Sequence, residues 1–289
     1  MLKHEVVSIR ALEVPPPTPV GAIWPALLGI KGHTGAYPVI SIITPVKRGG
    51  GTWLIEAWNS LFAQTNTHWE WLVELDGNGE MEPEIKALLQ VADARLKVAS
   101  CGVQMYAAAC RNMALSRALG RWVLPLDADD SLAPNALELL LTAAVDNDAG
   151  AAVGAIRDIS ADGLYADRAH HYPSGVRKKG ETYRLSLQVQ GMIQHGVGTL
   201  MNTRLLTSLG GYPATPYAQD LMVQYMMSAN AHIVAIPEVT YYYRRHREQM
   251  TASVSDAYWK LAQWRSRVLL TRMVLAHQGD AVLPDCPVV

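Results

Sequence analysis

The sequence predicts an α/β fold built on a mainly parallel central sheet with helices on both faces. Three observations lead to that expectation. Short β-rich runs alternate with runs of helical period from residue 39 to about residue 159, the order that successive βαβ units require. Among 289 residues, 49% are hydrophobic and 18% charged, enough to bury a substantial core. The stretch "GRWVLPLDADDSLAP", residues 120–134, sets three carboxylates within four positions directly after an apolar run. A sheet interior would not tolerate that charge, but the carboxyl end of a strand, where ligands of open α/β sheets bind, would.

In chain order, residues 1–36 read as an extended arm, because "VPPPTP" (14–19) imposes extended backbone and removes amide donors. Such an arm would wrap the body or mediate association into a homo-oligomer. The first half proper, 37–159, opens with the strand "VISIITP" (39–45), followed by the helix "TWLIEAWNSLFAQT" (52–65), the strand "WEWLVELDG" (69–77) and the helix "EPEIKALLQVA" (82–92). It continues through the strand "RLKVA", the helix "MYAAACRNMALSRAL", the strand "RWVLPLD", the helix "PNALELLLTAAV" and the strand "AAVGAIRDI". Pro134 supports a helix start just past the acidic cluster, where a missing N–H costs nothing.

From 160 to 250 the rhythm loosens, and this half reads as a second, less regular subregion. It holds a strand "VGTLMN", a helix "TRLLTSL", a Gly-Gly turn, a helix from Asp220 and strands near 232–236 and 240–244. In the remainder, 251–289, a helix over 255–277 places Leu261, Trp264, Val268 and Leu275 on one stripe between arginines. That stripe suits a packing helix, or a helix in peripheral contact with a membrane.

Composition excludes several classes of partner. With 25 Lys and Arg against 26 Asp and Glu, the net charge of −1 gives no global field for nucleic acid or an anionic membrane. The longest uncharged runs are poor membrane spans: Val14 to Ile30 carries five prolines, and Leu185 to Thr203 carries Gln, His, Asn and Gly. No apolar core of a signal peptide follows the N-terminus, so export is not expected. Three cysteines without metal-ligand spacing suit a reducing cytosol, and the expected location is cytoplasmic.

If the chain stays extended beyond "RWVLPLD", Asp127 and Asp129 project to the same side and form a two-carboxylate jaw. A pair of carboxylates without His or Cys beside it suits Mg²⁺ or Mn²⁺ completed by substrate phosphates. The plainer reading is that these residues cap the next helix. The glycines of "RGGGTW" offer bare amides for phosphate or a mobile lid, without the Lys and spacing of a P-loop. Arg244, Arg245, His246 and Arg247 follow a strand and could close over a diphosphate, since arginine forks match phosphate oxygens; a solvated basic edge is the alternative. His170 and His171 sit in a polar stretch where solvation is the ordinary state.

The order of these motifs resembles glycosyltransferase family 2, the inverting transferases of GT-A (Rossmann-like) fold, over roughly residues 38–250. "VISIITPV" is similar to the opening strand with its Thr-Pro turn, and "WLVELDGN" to the second strand with its acidic nucleotide-binding turn. "AAACRNMALSRALGRWVLPLDADD" resembles the Ala-Arg-Asn segment followed by the Asp-x-Asp motif. "GTLMNTRLLTSLGGYP" and "AQDLMVQYMMSANA" resemble the acceptor-side strand, the Gly-Gly turn and the helix start that supplies the base.

The resemblance implies that Thr44, with Pro45, and Asp76 hold the nucleotide base, that Arg111 contacts the nucleotide, and that Asp127 meets the ribose or the metal shell. It further implies that Asp129 binds the metal and Asp220 is the catalytic base. The local alternatives are an Asp-Gly turn for Asp76, an exposed helix face for Arg111 and an N-cap for Asp220. Lys47 and Arg48 stand where the family often has an aromatic and Asn, Leu75 replaces the first of two common acids, and Gln219 precedes Asp220 where an acid is frequent. The expected function is metal-dependent, inverting transfer of a hexosyl group from a nucleotide sugar, a UDP-sugar, to a hydroxyl of a small-molecule or glycan acceptor. Alternatives are a sugar-phosphate nucleotidyltransferase and a non-catalytic nucleotide-sugar or carbohydrate-binding protein.

Overall fold

The structure is a computed structural model and describes residues 38–77, 83–90, 93–100, 102–170, 172–188, 196–215, 218–249 and 268. The expected arm, His171 and the expected terminal helix apart from Val268 lie outside the described residues, as does the side chain of His170. The first half alternates as expected: β1 (Ile40–Lys47), α1 (Leu54–Phe62), β2 (Trp69–Asp76), α2 (Pro83–Leu89), β3 (Leu96–Ser100), α3 (Tyr106–Ser116), β4 (Trp122–Pro125). After a short β5 (Ser131–Leu132) come α4 (Ala136–Asp146) and β6 (Ala151–Ser160). Then follow β7 (Tyr165–His170), β8 (Gly175–Arg177), α5 (Glu181–Gln188), β9 (Leu200–Asn202), α6 (Thr203–Ser208), α7 (Gln219–Asn230) and β10 (Ile233–Arg245).

One sheet takes strands from both sides of residue 160, in the order β3-β2-β1-β4-β9-β6-β10-β5, with β7 on β6 and β8 on β10. Strands β3, β2, β1 and β4 are parallel, as the βαβ order requires. The second half is mixed. β9 runs antiparallel to both β4 and β6, so β6 and its parallel neighbour β10 point the same way as β1 and β4. The carboxyl ends of six strands therefore reach one edge of the sheet, and that edge carries the acidic cluster.

The two-residue period of the strands divides the core. Ile40, Ile42, Trp69, Trp71, Val73, Trp122 and Leu124 pack under α1, α2 and α4. Ile43, Leu72 and Val123 face α3, α6 and α7. On that second face β2 also carries two buried acids. Glu70 accepts from Ser41 Oγ (2.6 Å), Lys97 Nζ (2.6 Å) and Leu119 N (2.7 Å), and Glu74 pairs with Arg117 at 2.6 Å. Each buried charge thus has a partner, which makes its burial tolerable. The two strands expected near 232–236 and 240–244 are one, β10, whose register shifts between Ala235 and Tyr241. Pro237, which has no N–H for the ladder, lies in the irregularity.

Candidate active site

Beyond Pro125 the chain does not stay extended. Asp130 N donates to Asp127 O (3.2 Å) and closes a turn, so the expected extended jaw of Asp127 and Asp129 is replaced by a folded acidic turn. Residues from the far end of the fold hold its shape. The Tyr241 hydroxyl accepts from Asp127 N (3.1 Å) and donates to Asp130 Oδ2 (2.7 Å). Arg244 N donates to Asp130 Oδ1 (2.8 Å), and Arg244 Nε to Asp129 O (2.9 Å). Burial, with Asp129 and Asp127 beside it, pushes the Asp130 carboxyl well above the usual range. Asp129 is also raised by burial and by Asp127, while its bond to His246 works the other way.

The basic segment has a different job from the one expected. Arg244 is buried, and beyond Asp129 O its guanidinium donates to Ser160 O and Ala161 O (3.1 Å each) and to Glu56 Oε2. It ties α1, the acidic turn and the β6–β7 turn together, which leaves no free fork to close over a diphosphate. Arg245 is exposed and pairs with Asp158 (3.0 Å), and Arg247 is exposed. His246 instead turns inward: its Nε2 lies 2.9 Å from Asp129 Oδ2, its ring packs at 4.4 Å on Trp53, and its buried Nδ1 has no partner among the described residues.

On the other side of the acidic turn, α3 contributes two consecutive residues with separate tasks. Arg111 is buried rather than on an exposed helix face, and its Nη2 meets Asp127 Oδ1 at 2.5 Å. Burial works against its charge, but Asp127, Tyr212 and Asp220 more than offset this and keep the guanidinium protonated. Its Nε and Nη1 have no hydrogen-bond partner among the described residues. Asn112 clamps the Gly-Gly-Tyr turn, donating from Nδ2 to Tyr212 O (2.8 Å) and accepting at Oδ1 from Tyr212 N (2.7 Å). A side chain at Gly211, whose φ is +71°, would meet Asn112 Oδ1 at 2.4 Å. The Tyr212 ring consequently lies 5.5 Å from Arg111 Cζ.

Asp220 occupies the first turn of α7, just after Ala218 with its left-handed φ of +57°. It approaches Gly196 so closely that a Cβ there would stand 2.3 Å from Asp220 Cβ. Desolvation raises its carboxyl, and Arg111 pulls it back down. Arg111 thus lies between the acidic turn, through Asp127, and the expected base, through Asp220.

The expected base-binding residues are arranged less openly. Thr44 is buried on the α1 side of β1, where its hydroxyl accepts from Trp71 Nε1 (2.7 Å); its side chain faces the core, not a ligand. Pro45 is half-buried next to it. Asp76, at the end of β2, accepts from Met105 N (2.5 Å) and from Tyr106 N (3.1 Å to each oxygen). Its carboxylate therefore pins the start of α3 to the strand end. Asp130, Tyr241, Trp53, Glu56, Asn112 and Tyr212 were not expected in the site. Of these, Asp130 had a signal in the sequence as the third acid of the cluster, and Asn112 as the Asn of the Ala-Arg-Asn segment.

Residues 41–210, more than half of the chain, match the family described as Glycosyl transferase family 2. The chain belongs to glycosyl transferase family 2. TuaG of Bacillus subtilis, a glycosyltransferase assigned to teichuronic acid biosynthesis, is 27% identical over 143 residues, 50% of this chain and 56% of TuaG. Glycosyltransferase GlyG of Streptococcus pneumoniae serotype 4 is 28% identical over 116 residues, 40% of this chain and 38% of GlyG. The match thus spans about half of these curated relatives or less. Among solved structures, Staphylococcus aureus TarS 1–349 in complex with UDP-GlcNAc superposes with a TM-score of 0.64 at 18% identity, covering 82% of this chain and 66% of TarS 1–349. The same protein in complex with UDP gives 0.57 at 17% identity, with 84% and 72% covered. At that identity the likeness establishes the family 2 member's fold, a mixed α/β sheet with helices similar to that of a GT-A transferase.

Proposed function

We propose that this family 2 protein transfers a sugar from a UDP-sugar to an acceptor hydroxyl with inversion, assisted by Mn²⁺ or Mg²⁺. The observation that supports the reading most directly is one strand-end edge bearing two separate carboxylate centres, Asp129 with His246 and Asp220, with the buried Arg111 between them. Named neighbours of this fold have been crystallised with UDP-GlcNAc and UDP, which makes a UDP-sugar the first donor to try.

The donor set fits a hard or borderline divalent cation. Among the described residues no group of three His, Cys, Asp or Glu could hold a metal alone. Asp129 and His246 would supply two ligands, and such ions characteristically complete their shell with substrate phosphates. A metal bound there would act as Lewis acid toward the departing diphosphate. Asp127, already paired with Arg111, would face the ribose or the outer shell of the ion. Asp220 takes the proton of the acceptor hydroxyl while that oxygen attacks the anomeric carbon. The bond from that carbon to the diphosphate oxygen breaks with its electron pair leaving on the phosphate, so one displacement inverts the centre without a glycosyl-enzyme. A carboxyl raised by desolvation is a stronger base than one in water, and Arg111 favours its ionised form.

A calorimetric panel of nucleotide sugars with Mn²⁺, followed by assays of nucleoside diphosphate release against candidate acceptors, tests the proposal. UDP-sugar binding that is lost with chelator and in Asp129→Ala is the expected result. Equal affinity under all three conditions would remove the metal from the reading. Release of pyrophosphate from a nucleoside triphosphate would replace transfer by nucleotidyl chemistry.

A further inference from the structure

The loop and first residue leading into α3 form an exposed apolar rim around one carboxylate. Val103 is 59% exposed, Met105 37% and Tyr106 65%, and the Asp76 carboxylate beneath them binds the amides of Met105 and Tyr106. Tyr106 has φ +64°, a conformation that glycine adopts without cost and a bulky side chain does not. A tyrosine that is 65% exposed gains little from packing to offset that conformation, and strain of this kind persists at functional sites. The rim lies at the carboxyl end of β2, on the same edge of the sheet as the acidic turn, since Asp76 is paired in register with Lys47 at the end of β1.

We propose that Tyr106 is the stacking surface for the nucleobase of the donor, a residue specific to base recognition and resting on the nucleotide-sugar reading above. A planar base has an apolar face for the ring of Tyr106 and the side chains of Met105 and Val103. Its polar edge can turn toward Asp76, whose amide contacts hold the rim in position. Because Asp76 is occupied by those amides, the ring carries much of the contact. Stacking of a base on an aromatic side chain is sequence-tolerant, so the residue contributes affinity for nucleosides generally and leaves fine selection to polar contacts.

The test uses the full chain and four probes: UDP, CDP and uridine, and pyrophosphate with Mn²⁺, each titrated calorimetrically. Tyr106→Ala and Tyr106→Gly are expected to bind UDP, CDP and uridine roughly 5- to 100-fold more weakly than the parent, by the usual worth of a base–aromatic stack. Pyrophosphate with Mn²⁺ should bind unchanged, and Tyr106→Phe and Tyr106→Trp should retain nucleotide affinity. The Gly variant should also melt above the Ala variant, because only glycine relieves the left-handed backbone. UDP binding unchanged in Ala and Gly variants that bind pyrophosphate normally overturns the stacking role alone. Equal losses for pyrophosphate and uridine also overturn it, since they mark a general defect of the site. A parent that binds none of the nucleosides or nucleotides overturns the donor reading, and this inference with it.

Discussion

Arg244→Ala is expected to act on the fold of the acidic turn, not on a phosphate contact. The buried guanidinium loses its bonds to Asp129 O (2.9 Å) and to Ser160 O and Ala161 O (3.1 Å each), together with its pairing to Glu56. Glu56 is 54% exposed and rehydrates, so it contributes little to the loss. The three carbonyls left without donors and the emptied volume are the main cost, together about 3–5 kcal/mol, since an unsatisfied buried polar group typically costs about 1–3 kcal/mol. For a domain of this size that corresponds to a fall in Tm of roughly 6–20 °C. Arg244→Lys keeps the charge but cannot present the guanidinium fork to three acceptors, so it should recover only part of the loss. Thermal melting and urea titration measure the stability, and calorimetry with UDP and Mn²⁺ the binding. A Tm within about 2 °C of the parent, accompanied by selective loss of UDP affinity, would refute the bracing role and restore a direct phosphate contact.

Asp220→Asn should keep UDP-sugar binding and lose transfer by about 10² to 10⁴, the usual contribution of a general base, whereas loss of a helix cap alone would cost roughly 1 kcal/mol of stability and leave turnover per folded molecule intact. Since the base must be ionised and its carboxyl is raised from 3.8, turnover should be full at higher pH and fall on acidification through a pKa above that value. Arg111→Met removes the group that pulls this carboxyl down, so the acid limb of its pH–rate profile should move to higher pH; an unmoved limb would dissociate Arg111 from the base. In Gly196→Ala the new Cβ would stand 2.3 Å from Asp220 Cβ and 2.7 Å from its carbonyl carbon, so transfer should drop while UDP affinity, measured by calorimetry, is retained. Tyr241→Phe removes the hydroxyl between Asp127 N and Asp130 Oδ2 and should cost about 1–3 kcal/mol in urea unfolding, the penalty of unsatisfied buried polar groups.

The sequence by itself determined the elements of the first half, because each is encoded by its own residues. "WEWLVELD" alternates between the two layers, and the helices between strands carry their apolar stripes locally. The order of those elements then leaves little choice but a parallel arrangement of β1 to β4. It also determined that charge gathers at the end of β4 and that Asp220 opens a helix. The short polar elements β5, β7, β8 and α5 were illegible, since pairing with longer neighbours defines the strands more than their own pattern does. Tertiary structure decided what the charges do. Arg244 is 114 positions from the Asp130 carboxylate it contacts and 188 from Glu56, and no local pattern distinguishes it from the solvated Arg247. Nor does the sequence show that Thr44 turns to Trp71, or that Asn112 holds Tyr212 across 100 positions. Periodicity fixes which way a side chain leaves its own strand or helix; its partner, its burial and hence the strength of its charge depend on which distant element the closed sheet brings against it.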